Sequence, residues 1–567
     1  MAQLDVVACR NAEKWLESSI EESIKQEIRS MKESNVEEFN DAFYKTLEFG
    51  TGGLRGIMGI GTNRMNIYTV SMTTQGFCDY IKEQNPGKEI KTVISHDCRN
   101  NSKDFALITA RVMAANGFKV FLFEELRPTP ELSFAVRELC ADAGVMITAS
   151  HNPKEYNGYK AYWNDGAQLT APHDVLVIEK VNAITDIAQV KIQNDNSNIT
   201  FIGEDMDNKY LQMVHSLSMN RNVSAGNKNL KIVYTPLHGT GIMLVPKALR
   251  MYGFNNVHLV EAQSICDGNF PTCVSPNPEE PAALDMGLKL AKQINADMLL
   301  ATDPDADRVA TAVRNKRNEW ITINGNQMVS LLTYYLLERR KEQNMLKQND
   351  FVINTVVTTD LVKEIAKSFN VKCYSVLTGF KHIAATIRNL QGKERYIGGG
   401  EESYGYLIGD SVRDKDSVSA CCILAEMAEW ASKKGWTLYE LLLDIYMKYG
   451  FYHEEQVSIV RKGKSGAAQI KQMMSDFRNN PPEKIDGTRV ADIIDYLNTD
   501  VTHLPESNVL QYLLEDGCKV SVRPSGTEPK IKFYFSVRLE CNAQSDFQSL
   551  RTKALEKIDR IKREMNL

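Results

Sequence analysis

The sequence predicts an α/β protein with several domains, and three observations lead to this prediction. The 567 residues exceed what one hydrophobic core usually supports, so roughly three to four domains are expected. Apolar runs alternate with helical patterns along the chain, which implies parallel strands joined by helices. The strand pattern that ends near residue 150 returns near residue 237, which indicates a duplicated α/β unit.

Composition and charge exclude two classes of partner. Apolar residues make up 43% and charged residues 25% of the chain, values that are ordinary for a globular protein. The net charge of −5 and the pI of about 6.1 leave no basic surface for nucleic acid. No stretch approaches about 18 apolar residues, so we expect no membrane span. An anionic substrate would therefore meet local basic side chains and backbone amides.

The cysteines and the first residues predict a cytoplasmic protein. Eleven cysteines are scattered along the chain, and none forms a C-x-x-C pair. This pattern favours free thiols in a reducing compartment over disulfides or a zinc cluster. The first ten residues contain neither a basic region nor a long apolar one, so no secretory signal is expected there.

The N-terminal region combines a helical segment with a glycine-rich turn. Residues 10–47 show helical spacing with dense charge and predict an amphipathic helical segment that packs on its neighbours. Residues 49–56 (F-G-T-G-G-L-R-G) combine glycines with Arg55, and Arg64 follows. Because glycines let backbone amides approach an anion and arginine adds positive charge, this turn is a candidate phosphate site. Glycine-rich turns are also common without any ligand.

The first α/β unit ends in Ser150. Four elements are predicted before it, with strands at 90–95 and 118–123 and helices at 104–116 and 129–140. An apolar run then stops at T-A-S-H-N-P (148–153), which places the Ser150 hydroxyl at the end of a buried strand, where open α/β sheets carry their chemistry. Ser150 could be a nucleophile, a phosphate ligand or a cap of the next segment. Lys160 follows in a polar loop, where an ordinary surface lysine is the alternative.

The second α/β unit contains a cluster of aspartates. In its strand at 230–241, Leu237 stands where Ser150 stands in the first unit, so only the first copy has the hydroxyl. Asp303, Asp305 and Asp307 alternate in D-P-D-A-D-R, so an extended backbone presents three carboxylates on one side. Oxygen ligands suit Mg²⁺ or Ca²⁺. We therefore expect a hard-metal site rather than a solvated acidic turn; an EF-hand is excluded because its glycine and bidentate glutamate are missing.

Two later stretches are candidate sugar and phosphate sites. The third unit, about 320–450, contains a strand at 351–357, then T-G-F-K-H at 378–382 and G-G-G-E-E-S-Y-G at 398–405. Carboxylates and a hydroxyl among glycines suit vicinal sugar hydroxyls, although an acidic turn explains them as well. The last unit, 451–567, begins with a strand at 453–460 and ends with a helix at 546–565. Between them lie donors dense enough for a phosphate cradle, namely Arg523, Ser525, Gly526, Thr527 and Lys530.

Four motifs occur in a fixed order along the chain: T-A-S-H-N-P (148–153), D-P-D-A-D-R (303–308), G-E-E-S-Y-G (400–405) and R-P-S-G-T-E-P (523–529). Together they resemble the signature loops of the α-D-phosphohexomutase superfamily, over nearly the whole chain. The resemblance implies three similar α/β domains with mixed sheets and a smaller C-terminal α+β domain around a central cleft. The implied boundaries are 1–198, 199–318, 319–450 and 451–567.

The resemblance also implies roles for individual residues. Ser150 looks like the phosphoserine, and Asp303, Asp305, Asp307 and Ser150 itself look like the Mg²⁺ ligands. Lys160 is the candidate general acid and base, with His151 as a helper and Arg55 beside the reacting phosphate. The implied substrate-binding residues are Thr51, Gly52, Arg55, Arg308, Thr378, Lys381, Glu401, Ser403, Arg523, Ser525, Gly526, Thr527 and Lys530.

The activity implied is that of a phosphosugar mutase. Such an enzyme interconverts glucose 1-phosphate and glucose 6-phosphate through a phosphoserine and a glucose 1,6-bisphosphate intermediate, which also acts as activator. The loop G-E-E-S-Y-G is similar to that of phosphoglucomutases and of the phosphopentomutase-like branch. Ribose and mannose phosphates stay open as substrates. More remote alternatives are a sugar bisphosphate synthase and a non-catalytic protein that binds sugar phosphates.

Overall fold

The computed structural model describes residues 3–50, 53–220, 229–461, 463–525 and 530–567. These residues form two compact units. The first unit contains the chain up to Val313 together with Ala384–Gln391 and Gly405–Glu429. The second contains Arg314–Ile383, Gly392–Tyr404 and Trp430–Leu567. Within the described ranges, no helix combines the length and the apolar character that crossing a membrane requires.

Three helices begin the first unit, and they are α1 (Val6–Glu17), α2 (Glu22–Ser34) and α3 (Val36–Phe43). Asp5 begins α1 by accepting hydrogen bonds from the backbone N–H groups of its first turn. The apolar faces of the helices meet in a small core around Trp15, Phe39 and Phe43. The expected amphipathic segment is therefore a set of three short helices.

The first α/β segment contains a six-stranded mixed sheet of order β1-β5-β4-β2-β3-β6. Its strands are β1 (Leu54–Ile57), β2 (Lys91–His96), β3 (Lys119–Phe123), β4 (Ala143–Ile147), β5 (Tyr156–Trp163) and β6 (Ile199–Ile202). Its helices are α4 (Ile67–Gln84), α5 (Ser102–Ala115), α6 (Thr129–Glu138) and α7 (His173–Ala183). Strands β2, β3, β4 and β6 run parallel, while β5 is antiparallel to both β4 and β1. All five residues of β4 are buried, because helices cover both faces of a parallel sheet.

The second α/β segment repeats this arrangement with fewer strands. Its elements are α8 (Glu204–Ser216), β7 (Ile232–Thr235), α9 (Val245–Met251), β8 (Val257–Leu259), α10 (Pro281–Gln293), β9 (Met298–Thr302) and β10 (Val309–Arg314). Strand β7 is parallel to β8 and β9, and β10 is antiparallel to β9. The turn between β9 and β10 carries Asp303, Asp305 and Asp307.

The third α/β segment contributes to both units. Its elements are β11 (Trp320–Ile323), α11 (Gly325–Glu342), β12 (Asp350–Thr355), α12 (Leu361–Ser368), β13 (Lys372–Val376), α13 (Phe380–Leu390), β14 (Arg395–Glu401), β15 (Gly405–Ile408), α14 (Ser417–Ser432) and α15 (Leu438–Tyr449). In the second unit, β12 is parallel to β13 and to β14. Strand β15 and most of α14 belong to the first unit.

The C-terminal segment has an antiparallel sheet of order β16-β21-β20-β19-β18-β17. Its elements are β16 (Phe451–Val460), α16 (Gly463–Asn479), β17 (Lys484–Ile485), β18 (Thr488–Asp495), α17 (Thr499–Thr502), β19 (Leu510–Leu514), β20 (Lys519–Pro524), β21 (Lys530–Leu539) and α18 (Phe547–Glu564). The predicted fold class, three α/β segments followed by an α+β segment, is confirmed. Strand β6 pairs with β3, so the first sheet takes in residues just past 198.

Candidate active site

The Ser150 hydroxyl lies at the end of β4, in a turn with unusual backbone geometry. Ser150 has a φ of 52°, in the left-handed region that costs an L-residue about 1–2 kcal/mol. Its N–H donates to Thr148 Oγ1 at 2.8 Å, and its Oγ donates to Asp303 Oδ2 at 2.7 Å. Nδ1 of His151 lies 3.1 Å from the same Oγ. The turn therefore presents the hydroxyl directly to the aspartate cluster.

Asp303, Asp305 and Asp307 form a buried group that could hold a metal ion. Each offers an oxygen, and the three oxygens lie within 4.8 Å of one another. Asp305 Oδ1 and Asp307 Oδ1 are buried and have no hydrogen-bond partner, whereas Thr129 Oγ1 donates to Asp305 Oδ2 at 2.8 Å. Unsatisfied buried carboxylate oxygens are costly without a cation. This donor set fits a hard divalent ion with oxygen ligands.

The titration of the cluster indicates the same need for positive charge. Burial raises the pKa of Asp303 well above its usual range, and the charges of Asp305 and Asp307 raise it further. Burial alone would also raise the pKa of Asp307, but the ammonium groups of Lys160 and Lys415 hold it below the ordinary value. Three neighbouring carboxylates ionise together only when cations compensate them.

Lys160 is one of these cations. The sequence placed it in a polar loop, but it lies in β5, opposite Met146 of β4, and only 7% of it is exposed. Its Nζ donates to Asp305 Oδ2 at 2.6 Å and to Asp307 Oδ2 at 3.1 Å. Burial lowers the pKa of Lys160, but the two carboxylates outweigh burial and raise it above the ordinary value. The side chain is therefore an ammonium group.

Two arginines and His151 surround the serine turn. Arg55 lies exposed in β1 and donates to Asn152 Oδ1 at 3.1 Å. Arg308 forms an ion pair with Glu279 and lies 3.9 Å from Asp307 Oδ1. Burial lowers the pKa of His151 well below its usual value, and the charges of Arg308 and Arg55 add to this, so the imidazole is neutral.

Arg64 does not join this group. Its guanidinium is 3% exposed and bonds to Glu38 Oε1 at 2.8 Å and to Asp41 Oδ2 at 2.7 Å, both in α3. The expectation that Arg64 supplies charge to an anion beside the glycine-rich turn is therefore wrong, because two carboxylates already compensate it. Thr51 and Gly52, the other predicted residues of this turn, lie outside the described residues.

The predicted sugar-binding residues lie in the second unit. Glu401 ends β14, and its Oε1 accepts the N–H of Gly379 at 2.7 Å, so it lies beside the loop that carries Thr378. Lys381 follows this loop, in the first turn of α13. Ser403 is half-buried. The neighbouring Glu402 is held within its own segment, because Thr358 Oγ1 donates to its Oε2 at 3.0 Å.

The predicted phosphate cradle also lies in the second unit. Arg523 is in β20, paired with Lys532 of β21. The N–H of Ser525 donates to the carbonyl oxygen of Lys530 at 2.7 Å, which closes the loop between these strands. Burial lowers the pKa of His382 to about 4, and the positive charges of Lys381 and Arg523 act in the same direction. Gly526 and Thr527 lie outside the described residues.

The structure thus brings one set of predicted residues together within the first unit, namely Arg55, Ser150, His151, Lys160, Asp303, Asp305, Asp307 and Arg308. Sequence reasoning missed two basic residues of this cluster. Arg99 bonds to the carbonyl oxygen of Ser150 at 2.6 Å, and Lys415 Nζ lies 3.1 Å from Asp307 Oδ2. The one available signal for Arg99 was its position just after the predicted strand at 90–95.

Comparison with known proteins identifies the family. Three models of the phosphoglucomutase/phosphomannomutase α/β/α domains match in order, domain I at residues 46–188, domain II at 208–316 and domain III at 324–449. A phosphoglucomutase of Staphylococcus aureus (strain MSSA476) is 37% identical over 545 residues, which cover 94% of this chain and 96% of that protein. This chain belongs to the phosphoglucomutase/phosphomannomutase family. A phosphoglucomutase of Staphylococcus haemolyticus is likewise 37% identical, over 90% of this chain and 94% of the relative.

Solved structures of the phosphoglucomutase/phosphomannomutase family share the fold at low sequence identity. The open form of the phosphoglucomutase pp63/parafusin from Paramecium has a TM-score of 0.70 at 17% identity, covering 91% of this chain and 95% of that one. A putative phosphomannomutase from Thermus thermophilus has a TM-score of 0.66 at 19% identity, covering 91% and 99%. The superfamily predicted from four short motifs is confirmed.

Proposed function

We propose that this chain is a phosphoglucomutase, which interconverts glucose 1-phosphate and glucose 6-phosphate through a phosphoserine at Ser150 and glucose 1,6-bisphosphate. The observation that carries the proposal is the contact between Ser150 Oγ and Asp303 at the edge of a buried carboxylate triad. A strand-end hydroxyl beside such a triad is placed for phosphoryl transfer, which depends on positioning and charge compensation. The phosphoglucomutases at 37% identity support the choice of glucose phosphates.

In the proposed reaction the phosphoserine gives its phosphoryl group to the free hydroxyl of a sugar monophosphate. The bond from phosphorus to Ser150 Oγ breaks as the bond to the sugar oxygen forms, and the proton of the sugar hydroxyl passes to a base. The bisphosphate then turns over and returns its other phosphoryl group to Ser150. The chain therefore ends each cycle with Ser150 phosphorylated again.

Three groups are proposed to serve this step. Mg²⁺ would be held by Asp303, Asp305, Asp307 and the substituent on Ser150 Oγ, and it would neutralise charge on the transferred group. Lys160 is the proposed acid and base: as an ammonium held on Asp305 and Asp307 it can protonate Ser150 Oγ as that oxygen leaves, and the amine that results can take the proton of the sugar hydroxyl. A neutral His151 can share that proton, since its Nδ1 already faces the hydroxyl.

The remaining proposed residues bind the sugar phosphate. Arg55 and Arg308 would contact the reacting phosphate, and Glu401 would accept hydrogen bonds from sugar hydroxyls. The group proposed to contact the rest of the substrate is Thr51, Gly52, Thr378, Lys381, Ser403, Arg523, Ser525, Gly526, Thr527 and Lys530. The proposal keeps the four-domain division at 198, 318 and 450. It also keeps a cytoplasmic location, which is supported by eleven free cysteines.

One assay tests the function. Purified protein with Mg²⁺ and a trace of glucose 1,6-bisphosphate should convert glucose 1-phosphate to glucose 6-phosphate, and chelation with EDTA should abolish turnover. Mannose 1-phosphate and ribose 1-phosphate, assayed in parallel, should be turned over more slowly. Faster turnover of either would reassign the substrate, and no turnover of any of them would overturn the proposal.

A further inference from the structure

Arg99 is buried beneath the Ser150 turn and bonds to its backbone. The side chain has no exposed surface. Its guanidinium donates to the carbonyl oxygens of Ser150 at 2.6 Å, Pro153 at 2.9 Å and Tyr156 at 3.0 Å, and also to that of Asn152. A planar guanidinium carries five donors in a fixed array, so one side chain fixes four carbonyls between Ser150 and Tyr156.

The charge of Arg99 is balanced by Asp97, which also holds the other side of the turn. Arg99 Nε lies 3.4 Å from Asp97 Oδ2, and this oxygen accepts the hydroxyl of Thr148 at 2.6 Å. Thr148 Oγ1 in turn accepts the N–H of Ser150 at 2.8 Å. Both polar backbone groups of Ser150 are therefore fixed by one buried network.

Such a clamp has a physical purpose at this residue. The left-handed conformation of Ser150 is less stable than the right-handed one, and it persists only where its surroundings impose it. If the backbone relaxed, Oγ would leave Asp303, to which it now donates at 2.7 Å. A displacement of about 1 Å in a reacting group can cost about a hundredfold in rate.

We propose that Arg99 is a positioning residue for phosphoryl transfer, which together with Thr148 clamps the backbone of Ser150 so that its Oγ faces the carboxylate triad. The inference rests on the proposed role of Ser150. Phe270, from the second α/β segment, covers the guanidinium, with its ring centroid 5.1 Å from the central carbon. The clamp is therefore shielded from water and keeps its strength.

The test compares Arg99→Lys and Thr148→Val with a matched control, Arg127→Lys. Arg127 is also buried and bonded to a carboxylate, with its Nε 2.7 Å from Asp207 Oδ1, but it does not contact the serine turn. Lysine keeps the charge and loses the planar array, so kcat of Arg99→Lys should fall about a hundredfold while KM changes less than about threefold. Thr148→Val should lower kcat about tenfold, and Arg127→Lys should leave kcat per folded molecule unchanged.

A purely structural role for Arg99 would give a different pattern. If kcat of Arg99→Lys stays within about threefold of wild type, or falls no further than that of Arg127→Lys, the positioning role is wrong. If Arg99→Lys cannot be recovered folded, Thr148→Val decides alone, and an unchanged kcat there overturns the clamp.

Hydrogen exchange separates this inference from the proposed function. Amides of residues 148–158 should exchange faster in Arg99→Lys and Thr148→Val than in wild type, and Arg127→Lys should leave them protected. If the wild-type protein has no mutase activity, the proposed function fails, and exchange alone then judges the clamp. Unchanged protection in both clamp variants would reject it.

Discussion

The turns that end β4 and β7 have the same backbone geometry and different chemistry. Ser150 and Leu237 occupy the same place after the strand, with φ of 52° and 47°. Each N–H donates to the hydroxyl of the threonine two residues before it, at 2.8 Å to Thr148 and 3.1 Å to Thr235. The structure therefore shows, at the level of hydrogen bonds, the duplication that the sequence indicates.

The difference lies in what surrounds the shared turn. Thr148 donates to the carboxylate of Asp97, whereas Thr235 donates to the amide oxygen of Gln263 at 2.7 Å. The first turn thus belongs to an ionic network that includes Arg99, and the second is held by neutral groups. Burying charged groups costs desolvation free energy, but a buried network whose hydrogen bonds are all made holds its members in one geometry. Such a network suits a hydroxyl that must keep one orientation.

The turn after β7 carries no candidate nucleophile. It contacts the metal-binding turn, the turn between β9 and β10 that carries Asp303, Asp305 and Asp307. Leu237 is fully buried, and both ring nitrogens of His238 are bonded, to Ile265 O and Thr272 Oγ1. The N–H of Thr240 donates to the carbonyl oxygen of Pro304 at 2.8 Å. One copy of the turn therefore presents the Ser150 hydroxyl, the proposed reacting group, and the other holds the turn of aspartates that faces it.

The largest expected effect comes from making the first turn as inert as the second. Ser150→Ala removes one hydroxyl, so turnover should fall at least about 10⁴-fold while the melting temperature stays within a few degrees of wild type. Mass spectrometry should find one phosphoryl group on wild-type Ser150 after incubation with glucose 1,6-bisphosphate, and none on the variant. Appreciable mutase activity in Ser150→Ala would show that Ser150 is not the nucleophile. The proposed chemical difference between the two turns would then be wrong.

A smaller effect is expected from the second turn. A Cβ on Gly239 would lie 2.3 Å from Pro304 Cα and 2.6 Å from its carbonyl oxygen, so Gly239→Ala must displace the metal-binding turn. We expect kcat to fall about tenfold to a hundredfold and the Mg²⁺ concentration at half-maximal activity to rise. Gly287→Ala is the control, because the atoms nearest to its Cβ would be side-chain atoms of Leu299, the closest at 2.7 Å. Equal Mg²⁺ requirements in the two variants would contradict the supporting role.

The two turns also show which parts of the site can be predicted from sequence. Ser150 and the triad are short-range patterns, in which the end of an apolar run or an alternation of aspartates determines the geometry. Arg99 follows β2, the neighbour of β4 in the sheet, and its four bonds reach residues about fifty positions away. Lys415 arrives in a segment that returns to the first unit. Long-range placements of this kind leave no local pattern.

Local reasoning failed at Lys160 and Arg64 for a related reason. The polar residues before Lys160 suggested a loop, but antiparallel pairing with β4 makes 156–163 a buried strand, since tertiary pairing outweighs local propensity. Arg64 follows a glycine-rich turn, but acidic residues of α3 reach it first. In both cases a partner distant in sequence determines the role of the charge.

The first turn is bonded to a carboxylate, Asp97, and the second to an amide, Gln263. The effect of replacing a buried carboxylate by an amide can be measured separately at Glu454. Glu454 lies in the second unit, where burial raises its pKa to about 7 from an ordinary 4.5. Because the raised pKa disfavours the ionised form in the folded state, stability is fully present below about pH 4.5 and is lost as the pH rises towards 7. Glu454→Gln should therefore stabilise the protein by about 3 kcal/mol at pH 8 and hardly at all near pH 4.5. Denaturation midpoints at the two pH values measure this, and a gain independent of pH would show that ionisation is not its cause.

The smallest effect on activity is expected from the threonine of the second turn, Thr235, whose replacement should change stability but not catalysis. Thr235→Val is the counterpart of Thr148→Val: it keeps the shape of the side chain but leaves the buried N–H of Leu237 without its acceptor. The loss should cost about 1 kcal/mol of stability and leave kcat within about threefold of wild type, since the bond that holds the aspartate turn runs from the N–H of Thr240 to Pro304 and does not involve Leu237. Urea denaturation and steady-state kinetics on both threonine variants measure the contrast. Thr235→Val could instead lower kcat as much as Thr148→Val, at a similar loss of stability. The two hydroxyls would then act alike, and the network around Ser150 would affect kcat through folding and not through the orientation of the hydroxyl.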